Sequence, residues 1–227
     1  MNATQLKIIG IVSMTIDHIG YFLFPQMTVL RVIGRLAYPI FAYMIAEGCR
    51  YTKNKARYFC TVLAIACACS AVTYFVERSL YQSIFATFSC AMLLIFALDA
   101  AVKTAERAEK IFWGICAAVL VFLYFAVFQL RMIPGFETDY GFLGVITPVL
   151  VWLGRSKAEK LSGLTVGLCL LSAELGAVQF CSLAAVALLY FYNGKRGNHS
   201  LKWAFYAYYP LHIAALYGIA QIAPWGN

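Results

Sequence analysis

Asp17 and His18 stand side by side inside the apolar run LKIIGIVSMTIDHIGYFLFP, Arg31 and Arg35 inside VLRVIGRLAYPIFAYMIAEGCRYT, and His212 inside WAFYAYYPLHIAALYGIA. A histidine can accept and return a proton, an arginine can stabilise a developing oxyanion, and a carboxylate can orient either. Ionisable groups at membrane depth are costly, so each of these is a functional suspect. Their spacing puts them in one layer. The turn between the first two runs centres near Gln26, with His18 before it and Arg35 after it. At about 1.5 Å per helical residue both sit roughly 12–14 Å below the outer surface. His212 lies about 15 Å deep by the same rise.

Arg31 and Arg35 are spaced to share a helix face with Tyr38. Asp17 and His18 are neighbours and point about 100° apart. Asp17 is therefore expected to pair with Arg35 or Arg31 across a helix–helix interface. The competing reading is packing: an Asp–Arg pair that only fixes two helices, and histidines that only satisfy hydrogen bonds. Two histidines, a carboxylate and two arginines at one depth favour a site. Glu47 stands one turn from Arg50 and reads as its local partner; Asp99 reads as an interfacial anchor.

The elements that carry these residues follow from composition. Of 227 residues, 63% belong to the AVILMFWYC set and 12% are charged; mean hydropathy is +0.76. Soluble chains average roughly 45–50% apolar and about 25% charged. So few charges leave a water-soluble surface uncovered, which excludes a soluble enzyme, a nucleic-acid module and a disordered chain. The fold class is all-α, a polytopic membrane protein in a single domain over 1–227. A bilayer core needs about 20 helical residues per crossing. Candidate spans fall near 6–25, 28–50, 57–76, 84–102, 111–130, 141–154, 162–178, 180–193 and 203–222. The break at Gln179 is weak, so eight spans is the alternative to nine.

The net charge of +8 is topogenic. With the loop after the second span inside, the cytoplasmic side holds Lys7, Arg50, Lys53, Lys55, Arg57, Lys103, Arg107, Lys110, Arg155, Lys157, Lys160, Lys195, Arg196 and Lys202. The outer side holds only Arg78 and Arg131. That asymmetry predicts nine spans, the N-terminus inside and the C-terminus outside. The eight cysteines lie in or beside apolar runs without CxxC spacing and read as reduced packing residues. The N-terminus reads as an uncleaved first helix. There is no GxSG, GxGD, HExxH, P-loop or GxGxxG string, and no Cys/His spacing for a metal.

The strings IDHIG, GRLAYPIFAYMIAEG and FYAYYPLH, with TDYGFLGVITPVLVWL between them and YNGKRG ahead of the last, run through nearly the whole chain. In that order they resemble the TraX family of integral membrane proteins. Where the family pattern carries Asn and Gly about the fourth span, this chain has Ser83 and Cys90. The founding activity of that family is N-terminal acetylation of conjugative pilin subunits. The family is also similar to transmembrane acyltransferases such as the heparan-glucosaminide N-acetyltransferases, which take acetyl-CoA from the cytosol.

The resemblance implies a transmembrane N-acetyltransferase of the bacterial inner membrane. Acetyl-CoA is the donor, no metal is used, and the acceptor is an amine or hydroxyl at the outer side. A protein N-terminus, a sugar and a peptide amine all remain open, and nucleic acid is not a partner. His18 is the first choice of general base and His212 the second. Arg35 would touch the oxyanion or the pantetheine arm, and Asp17 would set Arg35 or a histidine tautomer. Donor contacts would come from Arg31, Tyr38, Glu47, Arg50, Lys53, Asn193, Lys195 and Arg196. The alternative is a non-catalytic protein, either a small transporter or an assembly factor for surface appendages. Pro39 and Pro210 are only loosely symmetric, and no internal repeat supports a transporter.

Overall fold

The computed structural model describes residues 1–197 and 202–222, and the regular elements in them are helical. They are α1 (Ala3–Phe22), α2 (Thr28–Gly34), α3 (Ala37–Tyr51), α4 (Lys55–Glu77), α5 (Ile84–Lys103), α6 (Arg107–Tyr124) and α7 (Gly141–Leu153), then α8 (Lys157–Leu175), α9 (Ala177–Phe180), α10 (Ala184–Tyr190) and α11 (Lys202–Ile222). A π turn (Phe125–Gln129) extends α6, and a 3-10 turn (Cys181–Leu183) joins α9 to α10. Residues 198–201 and the side chain of Lys202, one of the charges in the topology count, lie outside the described residues.

Among the described residues, four helical stretches are long and apolar enough to cross a membrane: Thr28–Tyr51, Lys55–Phe75, Ile84–Lys103 and Arg107–Gln129. With the composition, they make the chain a helical membrane protein. The helix α7 has 13 residues and is about 20 Å long, short of a hydrocarbon core of about 30 Å. Length alone therefore does not set the number of crossings.

The chain divides into two compact units. The first comprises residues 1–44 and those from 164 onward. The helix α1 starts with a capping box in which Asn2 and Gln5 satisfy each other's backbone N–H groups. Between α1 and α2 two glycines allow close approach. A Cβ on Gly34 would fall 2.2 Å from Cβ and Oδ1 of Asp17, and one on Gly20 would fall 2.8 Å from Cβ of Leu30. Without side chains there, α1 and α2 pack backbone to backbone and bring Asp17 against Arg31. Leu6, Ile40, Tyr43, Leu168, Leu171 and Leu189 fill the core of this unit.

The expected second span forms one apolar stretch, Thr28–Tyr51, with a short turn inside it: α2 ends at Gly34 and α3 begins at Ala37. The cause is Pro39, whose ring clashes with the carbonyl four residues earlier, that of Arg35, and which offers no N–H to it. Pro39 is tolerated in the first turn of α3, and the preceding turn tightens, with the Arg35 and Leu36 N–H groups donating three residues back. Arg35 thus sits at a helix end, and Tyr38, 2% exposed, lies past the break.

The weak break expected at Gln179 is also displaced. The helix α8 ends before Gly176, whose φ of 89° only glycine adopts cheaply, and the chain then stays helical through Tyr190. Gln179 becomes an interior residue, 2% exposed.

The second unit is residues 45–163. Its centre is α5, which packs against α4, α6 and α7 and buries Phe88, Ala91, Met92, Leu94 and Ile95. The outward faces of α4 and α6 carry Leu63, Val72, Phe112, Val119 and Phe122, as expected of helices facing lipid tails.

Candidate active site

All the residues assigned to catalysis lie in the first unit. His18 leaves α1 toward α11, and its Nδ1 is 2.7 Å from Nε2 of His212. Nδ1 of His212 is 2.9 Å from the carbonyl oxygen of Tyr208. These two contacts settle the proton positions in the neutral pair. A carbonyl can only accept, so Nδ1 of His212 carries a proton and donates it to Tyr208. Nε2 of His212 is then an acceptor, so Nδ1 of His18 is the donor. The relay leaves Nε2 of His18 with a lone pair. His212 is 8% exposed, whereas His18 is half-buried.

The rest of α11 holds the relay in place. The Tyr208 ring stacks on His212 with centroids 4.9 Å apart and planes 8° from parallel. Its hydroxyl lies 2.7 Å from Oγ1 of Thr15, which itself donates to the Ile11 carbonyl at 2.8 Å. With the Thr15 proton so used, the tyrosine donates to Thr15. Tyr209 meets both histidine rings edge-on. Thr15 and His18, three apart on α1, face α11, while Asp17 faces α2 as the 100° offset requires.

Asp17 takes Arg31 as its main partner. NH1 of Arg31 donates to Oδ2 of Asp17 at 2.6 Å and to the Asp17 carbonyl at 3.2 Å. NH2 of Arg35 stands 4.0 Å from Oδ1, and NH1 of Arg35 donates to Oε1 of Gln179 at 3.4 Å. The proposed setting of a histidine tautomer thus falls to the Tyr208 carbonyl through His212, while Asp17 holds the arginines. Gln179 joins the layer although its sequence position suggested only a weak break between two spans. No helical spacing linked it to Arg35; the one hint was a polar residue in an apolar run.

Asn193, Lys195 and Arg196 lie in the exposed loop after α10, also in this unit. Its backbone is pinned to the start of α1: the Asn193 N–H donates to the Met1 carbonyl and the Ala3 N–H to the Lys195 carbonyl, both at 2.9 Å. Thr4 Oγ1 donates to the Arg196 carbonyl at 3.3 Å. From Ala3 to His18 the rise along α1 is about 22 Å, so the basic loop and the histidine pair mark opposite stretches of one helix.

Glu47, Arg50 and Lys53 belong to the second unit. The expected Glu47–Arg50 pair does not form. Nζ of Lys160 donates to Oε1 of Glu47 at 2.6 Å with both side chains nearly buried. Arg50 donates to the carbonyls of Trp152 and Gly154 and lies over the Trp152 ring. It therefore caps the C-terminal end of α7, where helix carbonyls lack partners and cations are favoured. Asp99 binds Lys55 and Lys103, and Lys53 is exposed. At the start of α8 the Arg155 backbone N–H and the Ser156 hydroxyl hold the Glu159 carboxyl below the usual carboxylate range.

Comparison with known proteins agrees with the strings noted in the sequence. A family profile described as TraX protein matches residues 2–220. A probable fimbrial assembly protein, FimC of serogroup H1 from Dichelobacter nodosus, is 25% identical over 95% of this chain and 94% of its own length. An uncharacterized protein of Rickettsia prowazekii (strain Madrid E) is 44% identical over 52 residues, 23% of this chain and only 21% of that protein. No solved structure matches. With the profile spanning both units, the chain belongs to the TraX family.

Proposed function

We propose that this protein is an inner-membrane acyltransferase that moves an acetyl group from cytosolic acetyl-CoA to an amine or hydroxyl acceptor at the outer side. The observation that carries this reading is the His18–His212–Tyr208 relay, which leaves Nε2 of His18 with a lone pair to accept a proton. Exposed Lys195 and Arg196 suit the phosphorylated head of the donor. Asn193, Arg31 and Tyr38 belong to the same unit as that loop and the histidines. Arg50 and Glu47 are engaged with α7 and Lys160, so their role is in the fold of the second unit. The inner basic clusters support nine crossings with the donor side cytosolic.

In the reaction an acceptor amine attacks the thioester carbon while His18 Nε2 takes its proton. The carbonyl π pair moves onto oxygen and is stabilised by the Arg35 guanidinium. Collapse restores the carbonyl and breaks the C–S bond. The His18 imidazolium protonates the departing thiolate, leaving an amide, CoA thiol and neutral His18. His212 stabilises the transient imidazolium through the hydrogen bond to Nδ1, and Asp17 fixes the arginines.

The second reading is a surface-appendage assembly factor without catalysis. It draws on the likeness to the fimbrial assembly protein of Dichelobacter nodosus. The two part at donor binding. Calorimetric titration of purified protein with acetyl-CoA and with CoA should show saturable binding of both. Absence of binding by folded protein would favour the assembly factor.

A further inference from the structure

Around the arginines the first unit buries more polar atoms than it satisfies. Oδ1 of Asp17, Nε of Arg35, Nε2 of Gln179 and Oγ of Ser182 are all buried and have no hydrogen-bond partner among the described residues. Gln179 is 2% exposed and Ser182 0%. They are three apart on a tightly wound stretch, so they lie on one face. The helix α2, which carries Arg31 and is capped by Arg35, packs against that stretch.

The orientation of Gln179 is forced. Arg35 can only donate, so the amide oxygen must face it and the amide NH2 must turn away. The layer therefore presents three donor groups (the guanidinium Nε–H, the amide NH2 and the serine hydroxyl) that nothing among the described residues accepts. Arg31 and Arg35 against Asp17 leave one positive charge over. Buried donors beside surplus positive charge suit an oxygen that is polar in the ground state and anionic in the transition state.

We infer that Gln179 is a substrate-contacting catalytic residue, donating through Nε2 to the thioester carbonyl oxygen of the acyl donor beside Arg35, with Ser182 as an auxiliary donor. This rests on the acyltransfer reading. As the amine nitrogen bonds to the carbonyl carbon and its proton passes to His18, the π pair goes to that oxygen. The hydrogen bond from Gln179 strengthens as the charge develops and relaxes when the C–S bond breaks and CoA leaves as thiol. Arg35 orients the amide by occupying its oxygen.

The test uses acetyl-CoA labelled with carbon-13 at the carbonyl, bound to the full chain in detergent, with the carbonyl stretch read by difference infrared spectroscopy. Wild-type protein should lower the band relative to free acetyl-CoA. Gln179→Glu keeps an oxygen against Arg35 but lacks the donor; it should return the band toward the free value. It should also cut kcat by a factor on the order of 10²–10³ with KM for acetyl-CoA little changed. Gln179→Met, similar in length and without a donor, gives the same readout if the glutamate variant does not fold. Binding with an unshifted band in wild type overturns the inference, as does an equal shift in the variants, and both leave acyltransfer standing. Failure of wild type to bind acetyl-CoA overturns both.

Discussion

The histidine relay makes a quantitative demand on three variants. His18→Ala removes the proposed base and should lower transfer by a factor on the order of 10²–10⁴, about 2.7–5.4 kcal/mol at 1.36 kcal/mol per tenfold. His212→Phe keeps a ring to stack on Tyr208, whose plane is 8° from that of His212, but deletes the acceptor for Nδ1 of His18. The lost bond at 2.7 Å becomes charge-assisted when His18 is an imidazolium. Such bonds contribute about 1.5–3 kcal/mol, so the loss should be on the order of 10–10²-fold. Because His212 acts only through His18, the double variant should be no slower than His18→Ala alone. The assay is single-turnover release of CoA with amine acceptors supplied to reconstituted protein. Chromatographic detection is preferable to a thiol reagent, since Cys60, Cys67 and Cys169 are exposed free thiols. A loss for His212→Phe that exceeds that of His18→Ala would make His212 the base. Multiplying losses in the double variant would refute the relay.

Gly34→Ala should lower stability by about 1–3 kcal/mol, because its Cβ would fall on Asp17. Gly114→Ala, with open space around it, should leave the thermal unfolding midpoint equal or higher. Arg50→Met should lower that midpoint by stripping the carbonyls of Trp152 and Gly154 of their donor. Acetyl-CoA affinity measured by titration should not change, and lost affinity at unchanged stability would return Arg50 to the donor site. A reporter that is active only in the cytosol, fused after the last residue, should stay silent; signal from it would replace nine crossings with eight.

Residue types alone carried the membrane character and singled out polar residues that the fold brings into contact. Sixty-three per cent apolar residues allow few folds other than lipid-facing helices, and Asp17, His18, Arg31, Arg35 and His212 were conspicuous because charge inside an apolar run is expensive. Helical geometry carried the next step: adjacent residues point about 100° apart, so Asp17 and His18 had to serve different neighbours. Pairing between distant segments was beyond that local periodicity. That His18 meets His212 rather than Asp17, that Asp17 prefers Arg31 to Arg35, and that Glu47 takes Lys160 instead of Arg50 all depend on how helices far apart in sequence rotate and approach. The approach of α1 to α2 is set by glycines, whose effect is spatial and leaves no chemical signature in the chain. Gln179 shows the limit most clearly. An amide in an apolar stretch reads as a weak break, and only the fold, by ending α8 before Gly176 and carrying residue 179 inward to Arg35, makes its NH2 a buried donor without a partner among the described residues.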